Sequence, residues 1–467
     1  MSGFAAAAGG AAGAAQRFVH RSRRGTELVL LVLSLMVGIG AYAAVGLGVK
    51  GTVPADIYTY GTWLAVLIVG AHIVIRRLAP YADPVILPVI SALNGIGLAM
   101  IHRINLAQPD LAPPARTQLV WMTLGVLLFV GVLAGLRDHR RLQAFTYTSG
   151  LAAIVLLLLP LLPGLGANIH GARIWIRLGG LSFQPGEVAK VLLVIAFAGY
   201  LVVHRDALAL AGRRFFFVDL PRGRDLGPIL AMWLVSLGIL VFQNDLGSSL
   251  LFFGLFLVML FVATERAGWL LVGSVMFVLG AYLSYLFVGH VQARVDLWLN
   301  PFHYVQTTGY QPVQGLFGMA WGGLTGRGLG QGAPQTTPFA YSDFISASIG
   351  EELGLTGLMA IVLLYVLLTE RGLRIALISR DDFGKLMATG LAVTFALQVF
   401  VVIGGVTGLI PLTGLTTPFL SYGGSSLIAN WAIAALLLRI SDQARRPPPE
   451  WSDRPEDADH TQVVSMR

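Results

Sequence analysis

Apolar runs of about 20 residues recur from one end of the chain to the other, each closed by a short polar stretch. The best windows are 27–48, 60–78, 84–104, 118–136, 143–163, 185–203, 227–243, 246–264, 267–288, 344–369, 386–410 and 420–440. Runs of that length cross a bilayer's hydrocarbon core as helices, whereas buried helices of water-soluble domains carry shorter ones. The pattern predicts an all-α polytopic integral membrane protein of about 12 transmembrane helices. Two connecting stretches, 164–184 and 289–342, are longer than the rest, and the second holds apolar stretches of its own. Long ordered loops are usually functional. Residues 1–26 join an Ala/Gly tract to Arg17, Arg21, Arg23 and Arg24 without the layout of a signal peptide. They are expected to be a disordered tail, as is 441–467, where three prolines precede mixed charge.

Charge adds a direction. Of the 32 basic residues, only Lys50, Arg103, Arg116, Arg173, Arg177, Arg294 and Arg327 fall on one side of the threaded chain, and Lys190 falls within a span. Cytoplasmic loops carry the excess of Lys and Arg, so the crowded side is the inside. Both termini are then cytoplasmic, which requires an even number of spans, and the two long loops face out. The net charge of +8 follows from this clustering between apolar runs rather than from a nucleic-acid surface. Charged residues make up 12% of the chain, against about 25% in soluble domains. With no cysteine, disulfides, thiol catalysis and thiolate metal sites are excluded.

Ionisable residues in or at the ends of spans are expensive and therefore candidates for function. In Gln184-Pro185-Gly186-Glu187-Val188-Ala189-Lys190 the proline starts a helix, and Glu187 and Lys190, three apart, share a face and can pair. They either fix helix packing or touch ligand. Asp245, in Gln243-Asn244-Asp245-Leu246-Gly247, caps the next helix or faces a ligand from an outer turn. Asp343, Glu351 and Glu352 crowd the outer end of a later span, and the adjacent pair cannot both face lipid. The run Thr413 to Ser426 is small and hydroxylated, suited to close helix packing or to offering open helix-start amides to an anion. Arg173, Arg177, Arg294 and Arg327 bring scarce positive charge to the outer face, either to bridge loops or to meet a diphosphate.

Together these strings resemble the shape, elongation, division and sporulation (SEDS) family, the peptidoglycan polymerases of rod-shape and cell-division type. The resemblance rests on Gly171-Ala172-Arg173-Ile174-Trp175-Ile176 leading into Phe183-Gln184-Pro185; on Asp245-Leu246-Gly247 and Asn300-Pro301 with Gly309-Tyr310-Gln311; and on Gly326-Arg327-Gly328-Leu329-Gly330, Asp343-Phe344-Ile345, Gly350-Glu351-Glu352-Leu353-Gly354 and the run Gly404 to Leu427. It covers 84–440 as a core, preceded at 27–83 by two spans beyond the family's usual ten, as in actinobacterial rod-shape members. It implies an inverting glycosyltransferase in the plasma membrane that polymerises lipid II, a disaccharide-pentapeptide on undecaprenyl diphosphate, beside a class B penicillin-binding transpeptidase. A divalent cation is the one cofactor the resemblance leaves open. On the same footing, Arg173, Trp175, Glu187, Lys190, Asp245, Arg327, Asp343, Glu351 and Ser425 are the substrate-binding candidates.

One position departs from the family. Its loop carboxylate sits in a pattern Asn-Pro-x-x-Asp-Pro, and here Tyr304 occupies that place in Asn300-Pro301-Phe302-His303-Tyr304-Val305. A phenol with an ordinary pKa near 10 is a poor base at neutral pH. Asp296 and His303 are the neighbouring candidates for base work. Two other functions fit the same residues: a non-catalytic relative that binds lipid II or a transpeptidase, and a transporter of the lipid-linked precursor. Against transport stand the absence of any detectable internal repeat and the placing of the polar clusters at the outer surface.

Overall fold

A single segment in hydrocarbon must satisfy its own backbone, and the apolar runs do so as helices. The computed structural model describes residues 22–169, 172–178, 181–209, 213–215, 218–220 and 223–447. Within them lie α1 (Arg24–Lys50), α2 (Ile57–Leu78), α3 (Ile86–Ala107), α4 (Ala115–Gly135), α5 (Thr146–Leu158), α6 (Pro185–Ala209), α7 (Gly223–Phe242), α8 (Leu246–Thr264), α9 (Gly268–Phe287), α10 (Gly289–Leu299), α11 (Tyr310–Gly322), α12 (Ile345–Ile378), α13 (Asp382–Val406) and α14 (Gly424–Arg445). Eleven described helical spans are long and apolar enough to cross a membrane. The expected span 227–243 falls in α7, whose apolar part, Leu230–Phe242, is shorter. Yet α6 and α8 both start at the cavity described below, so α7 must run back between them. Its 20 residues rise about 30 Å, enough to cross.

α3, α6, α13 and α14 form the buried centre. There Trp431 of α14 meets Phe129 and Phe419 edge-on, at ring centroid distances of 5.5 and 6.0 Å. α9 fully buries only Trp269 and Gly273, and most of its remaining residues are exposed. α12 is longer than its expected span and bends at Gly354, whose φ of 70° and ψ of −173° break the helix; only glycine holds such a conformation without strain.

Helix reaches into both stretches expected as tails. α1 starts at Arg24, whose guanidinium bonds Glu27 and the Ala82 carbonyl, and Glu27 in turn contacts His72 Nδ1 at 2.7 Å. α14 runs to Arg445 because Asp442 pairs with Arg446 at 2.7 Å and Arg445 pairs with Asp83 at 2.5 Å. Buried ion pairs carry helix into sequence that hydropathy assigns to solvent. Residues 1–21 and 448–467 of those tails lie outside the described residues.

The two long loops are ordered. Stretch 164–184 is a three-stranded antiparallel sheet rather than helix: β1 (Gly166–Ile169), β2 (Ala172–Leu178) and β3 (Leu181–Phe183), with Ile176 opposite both Gly166 and Phe183. Stretch 289–342 contributes α10, α11 and two short 3-10 turns. A second hairpin, β4 (Arg213–Phe215) with β5 (Val218–Leu220), lies at the other end of the bundle.

Candidate functional site

A cavity of about 740 Å³ opens where α6, α8, α12 and α14 begin, roofed by the sheet and by α10 and α11. Its charged lining among the described residues is Glu187, Asp245, Arg294 and Asp343. Trp121, Trp175, Trp298, Tyr341 and Tyr422 supply aromatic faces. Such a mixture, apolar walls with a few convergent polar groups, is what binding sites are made of.

Local chemistry sets each charge in place. Pro185 opens α6, so Glu187 sits in its first turn at the cavity, and Lys190 one turn on is buried beneath it with Nζ 2.5 Å from Glu187 Oε2. Lys190 also donates to Gln398 at 2.9 Å and Asn430 at 3.4 Å. Gln398 donates onward to the Thr416 carbonyl at 2.8 Å, tying the floor to the small-residue run. Asp245 caps α8, accepting from the Ser248 amide at 2.9 Å, while its side chain also lines the cavity. The cap is made, and the same side chain borders the cavity.

Asp343 precedes α12 on a segment clamped to the small-residue run. Tyr422 donates its amide to the Tyr341 carbonyl at 2.8 Å, and Ser421 Oγ donates to the Ser342 carbonyl at 2.7 Å. Burial pushes the Asp343 carboxyl up to about 7, against the downward pull of Ser342 and Arg294. Burial raises Asp245 as well. It lowers Arg294, against the pull of Asp245 and Asp343. α14 starts without a side-chain cap at Gly423, and Gly423 and Gly424 border the cavity. That start offers free amides to an anion beside the only cavity-lining cation among the described residues.

Of the candidates named from sequence, Trp175, Glu187, Asp245 and Asp343 line this one cavity, and Lys190 is paired to Glu187. Other candidates lie elsewhere. Arg173 is exposed on the sheet and outside the lining, holding Gln243 through its backbone amide at 3.2 Å. Arg327 stacks over Trp321 at 3.7 Å. Glu351 is buried and accepts from the Ala333 amide at 2.6 Å, and Glu352 pairs with Arg103 at 2.6 Å. The pair that could not face lipid turns inward to hold a loop. Ser425 Oγ accepts from the Gln184 amide at 2.9 Å and fastens α14 to the start of α6.

The neighbouring base candidates both lie outside the cavity lining. On α10 the positions facing the cavity are Arg294, Leu297 and Trp298, spaced as one helical face, while Asp296 points away and accepts from Tyr285 at 3.4 Å. His303 is exposed, edge-on to Tyr304, and neither lines the cavity. Arg294, which in the sequence is one scarce cation among several, is the one the cavity uses.

Fold and site define a class: a multi-span helical membrane protein with a charged cavity at one end of the bundle. The chain belongs to the FtsW/RodA/SpoVE family of cell cycle proteins, whose model matches residues 84–446. It is 48% identical over 431 residues to the peptidoglycan glycosyltransferase RodA of Mycobacterium tuberculosis, covering 91% of this chain and 92% of that one. To a probable peptidoglycan glycosyltransferase FtsW of Geobacter metallireducens it is 35% identical, over 67% of this chain and 80% of the relative. Among solved structures it resembles one described as the structural coordination of polymerization and crosslinking by a peptidoglycan synthase complex, with a TM-score of 0.63 at 30% identity, covering 78% and 98% of the two chains. The Thermus thermophilus rod-shape-determining protein RodA follows at a TM-score of 0.56 and 29% identity, over 79% and 98%.

Proposed function

We propose that the chain is a peptidoglycan glycosyltransferase that polymerises lipid II at the outer face of the plasma membrane. One observation carries the reading: three carboxylates and one guanidinium line a single cavity of about 740 Å³ beside an uncapped helix start. In the reaction the acceptor sugar hydroxyl bonds to the donor's anomeric carbon while the bond from that carbon to the lipid diphosphate breaks, with inversion. The hydroxyl proton goes to a base, and the leaving diphosphate gathers negative charge. Asp343 is the base of this proposal, since a carboxyl with a pKa of about 7 is matched to proton transfer near neutrality. Arg294 and the α14 amides receive the diphosphate. Trp175, Glu187 and Asp245 position the sugars.

No three carboxylates or imidazoles converge as a metal cage among the described residues. A divalent cation fits this donor set only as Mg²⁺ commonly binds, through one or two carboxylates and the substrate's own phosphates. The relatives' names and the synthase-complex neighbour support a membrane-embedded role beside a class B transpeptidase. The distribution of arginine supports cytoplasmic termini.

The deciding experiment incubates purified full-length protein with fluorescent lipid II, with and without a transpeptidase. Glycan ladders are expected, reduced about 100-fold or more by Asp343→Asn and little changed by Asp296→Asn or His303→Ala. Loss of ladders in Asp296→Asn alone would transfer the base to Asp296. Lipid II binding without ladders, in wild type and in Tyr304→Asp alike, would make the protein a non-catalytic relative.

A further inference from the structure

α1 and α2 lie before the family match, which begins at residue 84, and neither lends a residue to the cavity. Their outer surfaces are apolar and lipid-facing, with Val29, Met36 and Val37 on α1 and Tyr58 and Val66 on α2 well exposed. An annular pair with no further role would touch the core only through side chains. Here the contact is backbone on backbone, and it occurs twice along α1.

Midway, a β-carbon on Gly38 would stand 2.9 Å from the Cα of Gly95 in α3, which leaves no room for one. At the cavity end of the same helix a β-carbon on Gly48 would overlap the Leu329 carbonyl oxygen, and one on Gly330 would stand 2.9 Å from the Gly48 Cα. Gln331 closes the junction, donating from Nε2 to the Gly48 carbonyl at 2.7 Å. That end of α1 is itself held, since Tyr42 stacks on Tyr60 of α2 at 3.8 Å and on His102 of α3 at 4.2 Å and donates to Asp56 at 2.9 Å.

The loop that meets Gly48 is the one the two buried glutamates secure. Gly330 donates to Glu352 Oε2 at 2.9 Å, Ala333 to Glu351 Oε1 at 2.6 Å, and Arg103 to the Gly332 carbonyl at 2.6 Å. A few residues on, the chain becomes the cavity wall at Phe339, Tyr341 and Asp343. We infer that the N-terminal helix pair is a brace for this loop, with Gly48 and Gln331 as positioning residues that hold the wall carrying Asp343. An apolar helix anchored along α3 supplies a fixed post, and the loop's irregular backbone is kept from opening by pressing on it.

The inference rests on the glycosyltransferase reading only where activity is measured, so its primary test does not use activity. Hydrogen exchange of the amides between 326 and 342 is followed in the full-length protein in lipid nanodiscs, for wild type, Gly48→Leu, Gln331→Ala and the control Gly40→Leu. Gly40 lies on the same helix with open space around it. Gly48→Leu should speed exchange in that window about 10-fold or more, Gln331→Ala by less, and Gly40→Leu not at all, with the helical core unchanged in each. Unaltered exchange in both Gly48→Leu and Gln331→Ala would overturn the brace, and so would equal loosening in Gly40→Leu. With lipid II, Gly48→Leu should lower turnover at least about 10-fold while lipid II binding falls less. Looser exchange with full turnover would separate the brace from the wall and refute the positioning role. Absence of turnover in wild type would count against the glycosyltransferase reading and leave the exchange result standing.

Discussion

Glu187→Gln is the most diagnostic single change in the core, because it isolates a buried cation. Lys190 is 2% exposed, and once the carboxylate is gone its ammonium is left with neutral acceptors alone, Gln398 at 2.9 Å, Asn430 at 3.4 Å and the new amide oxygen at position 187. Removing one partner of a buried pair costs about 3–5 kcal/mol, since the other charge stays desolvated. Lys190→Met should cost less, about 1–3 kcal/mol, because the carboxylate it strands borders the cavity and can reach water. Removing both charges cancels most of either penalty, so the double change to Gln and Met should lie at least about 2 kcal/mol above the sum of the singles. The assay is the apparent midpoint of thermal unfolding in detergent at fixed scan rate, followed by tryptophan fluorescence and recovery on gel filtration. At about 2 °C per kcal/mol for a large chain, Glu187→Gln should fall by roughly 6–10 °C, and the double mutant should regain several degrees. Strict additivity would refute the pairing as an energetic unit and leave proximity alone.

Other outcomes follow from the same geometry. The Asp343 carboxyl, raised by burial to about 7, must lose its proton to act as a base, so turnover should climb as pH rises through about 7 and Asp343→Asn should flatten that limb. Because the folded state holds this proton more tightly than the unfolded chain, the same group costs stability as pH rises from near 4 toward 7. Asp245→Asn keeps a capping side chain for α8 and should alter turnover more than stability, whereas Asp245→Ala should also lose about 1 kcal/mol. Equal stability of the two would deny the cap its role. Cysteine placed in this cysteine-free chain at Thr307 should react with an impermeant maleimide on intact cells, and cysteine at Gly135 should not; the reverse pattern would invert the orientation.

Hydropathy carried most of the architecture because a membrane helix must be apolar along its whole length, and that requirement is written residue by residue. It failed where charge is buried rather than exposed, as at Arg24 and Asp442, whose partners come from distant segments. The sheet at 166–183 escaped for another reason: three short strands pair only after the chain folds back, and their alternation is too brief to register. Within the site, Glu187, Asp245 and Asp343 were legible as costly charges at span ends. Distinguishing cavity from scaffold was not. Glu351 and Asp343 look alike in sequence, yet one anchors a loop and the other faces the cavity, because Asp343 sits on the segment before α12 and Glu351 lies within the helix, turned toward Ala333. Along α10, Arg294 and Asp296 face different ways, since two positions are more than half a turn of helix.

Among the described residues, four other than glycine adopt positive φ: Asn244 at 61°, Glu265 at 56°, Phe339 at 56° and Phe419 at 63°. Asn244 and Phe339 line the cavity, and Phe419 lies in the small-residue run beside it. A bulky side chain in that region costs of order 1–3 kcal/mol and persists only where its surroundings over-determine it. The protein therefore gives up stability next to its ligand to hold side chains that glycine could not supply. A laboratory selection for heat resistance would find easy gains at these positions and would pass through them to a sturdier molecule with a slacker cavity. Thermostabilised variants of this chain are better sought at the lipid-facing helices, where robustness and turnover do not compete.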